Sequence, residues 1–139
     1  DRPAEEAAAL LNDGTIQVAQ LHGREDAAYI AALRALAPGK EIWKAFKVRS
    51  PEDLATAAAS PADRILLDNG YGTGQSFDWS LAGSVTRPFL LAGGLTSENI
   101  PDAVARLHPY GLDLSSGVET DRLKDRDKIL AAVAAARKE

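Results

Sequence analysis

Apolar residues in this chain gather into five short runs separated by longer stretches of mixed character. The runs are IQVAQL from Ile16, IWKAFKV from Ile42, RILLD from Arg64, PFLLAGG from Pro88 and GLDLSSG from Gly111, and their starts lie 26, 22, 24 and 23 residues apart. Each is near-continuously apolar rather than alternating, which suits a strand covered on both faces. Between most of them the spacing turns helical. EDAAYIAALRALA sets Ala28, Ile30, Leu33, Leu36 and Ala37 on roughly one face. SENIPDAVARL does the same for Ile100, Val104 and Leu107, and opens at Ser97, a good N-cap. KDRDKILAAVAAARKE gathers Ile129, Leu130, Val133 and Ala136, with acids early and Arg137 and Lys138 in the last turn, where the helix dipole favours cations. The chain opens on a further helical stretch, PAEEAAALL.

Strand and helix alternating at this period predict right-handed βα units and a parallel α/β sheet. Polar and small residues collect where the strands should end: His22-Gly23, Asp68-Asn69, Gly93-Gly94 and Ser115-Ser116-Gly117. In a βα barrel the functional site is built on that C-terminal edge. Five strands do not close an eight-stranded barrel, which typically takes about 250 residues and rarely fewer than about 200. Two architectures therefore remain open, the C-terminal part of a (β/α)8 TIM barrel or a short open α/β sheet. In either case residues 1–139 are read as a single domain.

Composition narrows the partners. A content of 45% hydrophobic and 26% charged residues is ordinary for a soluble globular chain. The net charge of −4, with no clustered Lys or Arg, argues against nucleic acid as a partner. No apolar run approaches the roughly 18 residues of a membrane span, and no secretory signal pattern is visible. The absence of cysteine removes disulfides and thiolate metal sites and fits a cytoplasmic protein. With only His22 and His108 as histidines, no metal site is expected.

Candidate chemistry lies at the strand ends. LAGGL and LSSGVE each end a strand in small residues and lead toward a helix start, which exposes amides to an anion such as phosphate. The plainer reading of such glycines is a tight turn that needs positive φ, and for Gly72-Thr73-Gly74 it stands level with the functional one. No Walker-type Gly-Lys-Ser occurs, so a nucleoside triphosphate is not the natural ligand. Asp68 is either a turn or capping residue or a carboxyl at the end of a buried strand, where desolvation lets it hold a proton and act as a donor. Asp113 carries the same ambiguity. His22 is a pocket-lining candidate, and Phe77 and Trp79 are expected in the core.

VAQLHGRED, IWKAFKV, ILLDNGYGTGQSFDW, LLAGGLTSEN, GLDLSSGVE and KDRDKI together, in that order, resemble the C-terminal part of phosphoribosylanthranilate isomerase, a (β/α)8 barrel of tryptophan biosynthesis. LDNGYGTGQSFDW also resembles the isomerase domain of bifunctional enzymes that carry indole-glycerol-phosphate synthase in front of it. The resemblance implies that this chain supplies about the last five strands of the barrel. It implies an Amadori rearrangement of N-(5-phosphoribosyl)anthranilate, a small phosphosugar substrate, with no cofactor or metal. Asp68 then becomes the general acid, backbone at Gly93, Gly94, Ser116 and Gly117 the phosphate clamp, and Asp113 a pocket residue. The glycine-rich stretch after Asp68 is expected to fold over the sugar and shed water. The general base of the family is a cysteine in a first-strand Lys-Ile-Cys-Gly, and an arginine of the second βα loop assists. This sequence has no cysteine and nothing matching that first-strand motif. The expectation is negligible isomerase activity for the chain alone, completed by a missing N-terminal barrel segment or a second copy of the chain. The alternative is a non-catalytic half-barrel that binds a phosphosugar or self-associates through its exposed strand edge.

Overall fold

The computed structural model describes residues 2–68 and 85–137. The Gly72–Gly74 turn, the expected core positions Phe77 and Trp79, and the glycine-rich cover over the cleft lie outside the described residues.

All five apolar runs form strands: β1 (Val18–Leu21), β2 (Glu41–Lys47), β3 (Arg64–Asp68), β4 (Phe89–Ala92) and β5 (Gly111–Asp113). They make one parallel sheet in chain order, β1-β2-β3-β4-β5. Helices α1 (Ala4–Asn12), α2 (Ala27–Leu36), α3 (Pro51–Ala58), α4 (Ile100–Leu107) and α5 (Arg126–Ala136) accompany it. After β5 the chain makes a 3-10 turn, Ser116–Val118, and a small antiparallel ribbon, β6 (Glu119–Thr120) with β7 (Leu123–Lys124), before α5 begins.

The two faces of the sheet carry different residues because a strand alternates its side chains. On the helix-covered face, Ala19, Leu21 and Ile42 pack with Leu11, Ile30 and Leu33 of α1 and α2. Farther along, Ile65, Leu67, Phe89 and Leu91 pack with Leu54, Ala57, Ile100 and Ala103 of α3 and α4. Among the described residues, eight large side chains, including Leu11, Leu33, Ile42, Ile65 and Leu67, are less than 2% exposed. Burial of each contributes about 1.5–3 kcal/mol. The opposite face carries a smaller cluster of Leu66, Leu90 and Ala92, with Trp43 and Ala45 against it. That double burial explains why β3 and β4 read as unbroken apolar runs.

Helix α3 was not among the helices picked out by apolar spacing. Its signal is the cap. The Ser50 hydroxyl accepts from the Asp53 amide at 3.4 Å, the Asp53 carboxylate accepts from the Ser50 amide at 3.1 Å, and Pro51 stands at the helix start. Two expectations need correction. Helix α4 begins at Ile100 with Asn99 at the cap position, while Ser97 donates to the Glu98 carboxylate instead of capping. In α5, Ala136 packs against the core as expected, together with Ala132 and Ala135, whereas Ile129, Leu130 and Val133 are 39%, 51% and 44% exposed. Small alanines let α5 lie close to its neighbours, and the larger residues turn outward.

Lys44 is the buried charged residue of the described structure, at 5% exposure. It falls on the helix-covered side, in register with Leu21 and Ile65. Its ammonium donates to the Gly23 carbonyl at 2.8 Å and to Glu25 Oε2 at 3.0 Å. The same Glu25 oxygen accepts from the Gly23 amide at 2.9 Å. These bonds fasten the turn after β1 to the middle of β2.

Candidate functional site

Parallel register brings Lys47, Asp68, Ala92 and Asp113 into one row across β2, β3, β4 and β5. The row continues, two residues on, the series Ala45, Leu66, Leu90 and Gly111, so it lies on the face away from the helices. It sits at the C-terminal edge of the sheet. Adjacent strands are about 4.8 Å apart, so Lys47 and Asp113 stand about 14 Å from each other.

Above the row opens a cavity of about 310 Å³, lined by Lys47, Asp68, Ala92, Gly93, Gly94, Leu95, Asp113, Ser115, Ser116 and Gly117. Six of the seven residues singled out from sequence meet there. The seventh, His22, lines a separate cavity of about 860 Å³ together with Gly23, Arg24, Lys44 and residues of α2 and α3. Lys47 borders both cavities.

Two loops form the glycine-rich end of the cleft. After β4, Gly93 and Gly94 take φ of +88° and +63°, the left-handed region that a side chain disfavours. Asn99 holds this turn. Its Nδ2 donates to the Gly94 carbonyl at 2.9 Å, and its Oδ1 accepts from the Thr96 amide at 2.8 Å. After β5, Gly117 lies so close to the first loop that a Cβ there would run into the Leu95 carbonyl oxygen. Lys124, on the ribbon, donates to the Ser115 carbonyl at 3.0 Å and to Glu119 Oε1 at 2.7 Å, bracing the second loop. Among the described residues, the amides of Gly94, Ser116 and Gly117 have no protein acceptor. This is donor-rich backbone beside two carboxylates, with an ammonium two strands away.

The expectation that both loops lead into helices holds only in part. From Gly94 the chain reaches α4 through Thr96–Asn99, but Ser116 and Gly117 belong to the 3-10 turn, and the ribbon intervenes before α5. Asp125, at the start of α5, is occupied with capping. It accepts from the Asp127 and Lys128 amides at 2.9 and 3.2 Å and from the Thr120 hydroxyl at 2.7 Å, and that hydroxyl leads the causes that hold its carboxyl below the ordinary range.

Lys47, Leu95, Asn99 and Lys124 escaped the sequence reading. Lys47 had a signal: it ends its strand as Asp68 ends the next. The other three act through backbone contacts that carry no sequence signature.

The family model described as PRAI, N-(5'phosphoribosyl)anthranilate (PRA) isomerase, matches residues 1–135. The N-(5'-phosphoribosyl)anthranilate isomerase of Endomicrobium trichonymphae is 44% identical over 129 residues, covering 89% of this chain and 62% of its own. The solved phosphoribosyl anthranilate isomerase of Thermococcus kodakaraensis superposes with a TM-score of 0.80 at 31% identity, over 100% of this chain and 72% of that one. A phosphoribosyl anthranilate isomerase solved in complex with reduced 1-(o-carboxyphenylamino)-1-deoxyribulose 5-phosphate gives a TM-score of 0.81 at 28% identity, over 99% of this chain and 68% of that chain. The chain spans 56% to 62% of the length of the first three curated relatives it matches.

Proposed function

The chain belongs to the N-(5'-phosphoribosyl)anthranilate isomerase family, and on that premise we propose that its cleft supplies the acid and the phosphate clamp for the Amadori rearrangement of N-(5-phosphoribosyl)anthranilate. The observation that carries the reading is the meeting of Asp68 and the two glycine-rich loops on one cavity. In this reading the amides around Gly93, Gly94, Ser116 and Gly117 hold the phosphate, whose charge the donor-rich backbone offsets. Asp68 gives its proton to the ribose ring oxygen as the C1–O bond breaks, leaving an open-chain Schiff base. A base then takes the C2 proton, the electron pair moves to form the enolamine, and tautomerisation yields the ketone, 1-(2-carboxyphenylamino)-1-deoxyribulose 5-phosphate. Asp113, in the same row, faces the sugar hydroxyls. No cysteine is present in the sequence to act as the base, and that role is assigned to none of this chain's residues. His22 borders the neighbouring cavity and takes no chemical step.

The same proposal reads β1 to β5 as the last five strands of an eight-stranded barrel, completed by an N-terminal barrel segment. A cytoplasmic setting belongs to it, in keeping with a sequence free of cysteine. A second reading is a phosphosugar-binding half-barrel without turnover. Turnover in an assembly that includes the N-terminal segment separates the two. In that assembly Asp68→Asn lowers kcat by about 10²–10⁴-fold while phosphate binding persists. A loss of less than threefold removes Asp68 from the acid role.

A further inference from the structure

The second glycine-rich loop is held from behind. Among the described residues, Ser115, Ser116 and Gly117 line the cleft, whereas Lys124 lines the separate cavity beside β5. Its ammonium spans the two ends of the 3-10 turn. It donates to the Ser115 carbonyl ahead of the turn at 3.0 Å and to Glu119 Oε1 after it at 2.7 Å. Other carbonyls of the stretch are occupied as well. Ser116 accepts from the Glu119 amide, Val118 from the Asp125 amide at 2.9 Å, and Glu119 from the Lys128 ammonium at 2.6 Å. A trans peptide unit is flat, with its oxygen and its N–H on opposite sides. Fixing the Ser115 oxygen therefore fixes the Ser116 N–H, which points away from the lysine. The Val118 amide reaches the same oxygen only at 3.3 Å, beyond the usual range of such bonds. Lys124 is thus the stronger hold on this peptide.

We infer that Lys124 is a positioning residue of the anion cradle: through the Ser115 carbonyl it turns the Ser116 amide toward the cleft and strengthens it as a donor to phosphate. The inference rests on the phosphate clamp proposed above and deepens it, by adding a residue that acts without touching the anion. A charged donor makes a stronger bond than a neutral one, and a peptide polarised at its oxygen donates better at its N–H. Asn99 holds the Gly94 carbonyl of the first loop at 2.9 Å without that charge. Glu119 offsets the lysine's charge at contact, so Lys124 adds little field of its own at the cleft. Its side chain is 53% exposed, and an exposed ion pair contributes little to stability. Affinity for the anion and stability of the fold therefore separate at this residue.

Inorganic phosphate is titrated into the unaltered chain, Lys124→Met and Lys124→Arg, with the amide signals of Gly94, Ser116 and Gly117 followed by NMR. Each titration is run at about 0.1 M and about 1 M salt, where charges are screened over about 10 Å and about 3 Å. Thermal melts without phosphate accompany them. Compared with the unaltered chain at the same salt, Lys124→Met is expected to bind phosphate about tenfold more weakly under both conditions. Its phosphate-free midpoint stays where it was. Lys124→Arg, which keeps a charged donor, recovers most of the affinity. Unchanged affinity in Lys124→Met overturns the inference. A loss that vanishes at high salt also overturns it, because the lysine then acts through its field rather than through the peptide. So does a loss matched by a lower midpoint or by failure to fold, which makes Lys124 a prop of the whole fold. If phosphate moves none of the three amides in the unaltered chain, the clamp itself fails, and the role of Lys124 falls with it.

Discussion

Two positions concentrate the physics at the scale of single residues. Gly117 is required by space rather than by backbone conformation, because the Leu95 carbonyl occupies the place of its Cβ. Gly117→Ala therefore has to push two loops apart. It is expected to cost about 1–3 kcal/mol, seen as a lower thermal midpoint, and to abolish phosphate-induced shifts at Gly94. Gly111→Ala is the matched control: its Cβ would meet a Leu90 side-chain carbon at 3.6 Å, an ordinary contact. The other position is Glu25. Burial pushes its carboxyl up, but hydrogen bonds from its own amide and from Gly23, with the Lys44 ammonium, outweigh burial and hold it below the ordinary value. A carboxyl depressed in the folded state stabilises fully above its unfolded value, about 4.3, and that contribution disappears as pH falls through the folded value. Glu25→Gln is expected to flatten the acid limb of a stability-against-pH curve below about pH 4.3. At neutral pH it costs about 3 kcal/mol, because the 6%-exposed Lys44 side chain loses its countercharge. An acid limb as steep as before would exclude Glu25 as its source.

Among the elements, the strands were readable because β3 and β4 are covered on both faces and so carry no polar interruptions. Asp68, at the end of one such strand, was legible for the same reason. Helix α5 was misread. Its Ile129, Leu130 and Val133 fit an apolar stripe by spacing, yet Ala132 and Ala135 face the core. Hydrophobic periodicity ranks residues by size and apolarity, while a tightly packed helix contact is chosen by smallness. Substitution separates the two faces: Leu130→Lys, 51% exposed and outside the cavity beside β5, should change stability by no more than about 0.5 kcal/mol. Ala132→Leu should cost about 1–3 kcal/mol through overpacking. Urea melts at one protein concentration measure both. The loop-bracing contacts of Asn99 and Lys124 were illegible for another reason, since each binds backbone carbonyls that any sequence supplies.

For the whole molecule, β1 and β5 end the sheet among the described residues. Beside β5 lies a cavity of about 820 Å³ lined by Tyr110, Leu112, Ile129 and Val133, with Tyr110 60% exposed. A strand edge next to exposed apolar surface favours association. Sedimentation is expected to show concentration-dependent dimers or larger species, reduced by Ile129→Lys; a strictly monomeric chain at high concentration would contradict this. The row Lys47–Asp68–Ala92–Asp113 also belongs to this scale. Its members are far apart in the chain, and only strand register makes them neighbours, so sequence alone exposed the carboxylates and not their alignment with the lysine.

The seating of Gly117 on Leu95 has a consequence for anyone wishing to re-engineer this protein. The turns after β4 and β5 behave as two meshed gear teeth, neither of which can be recut without the other. A library that randomises one of them at a time will consist mostly of jammed mechanisms, and useful variants will be found only where both are redrawn in concert.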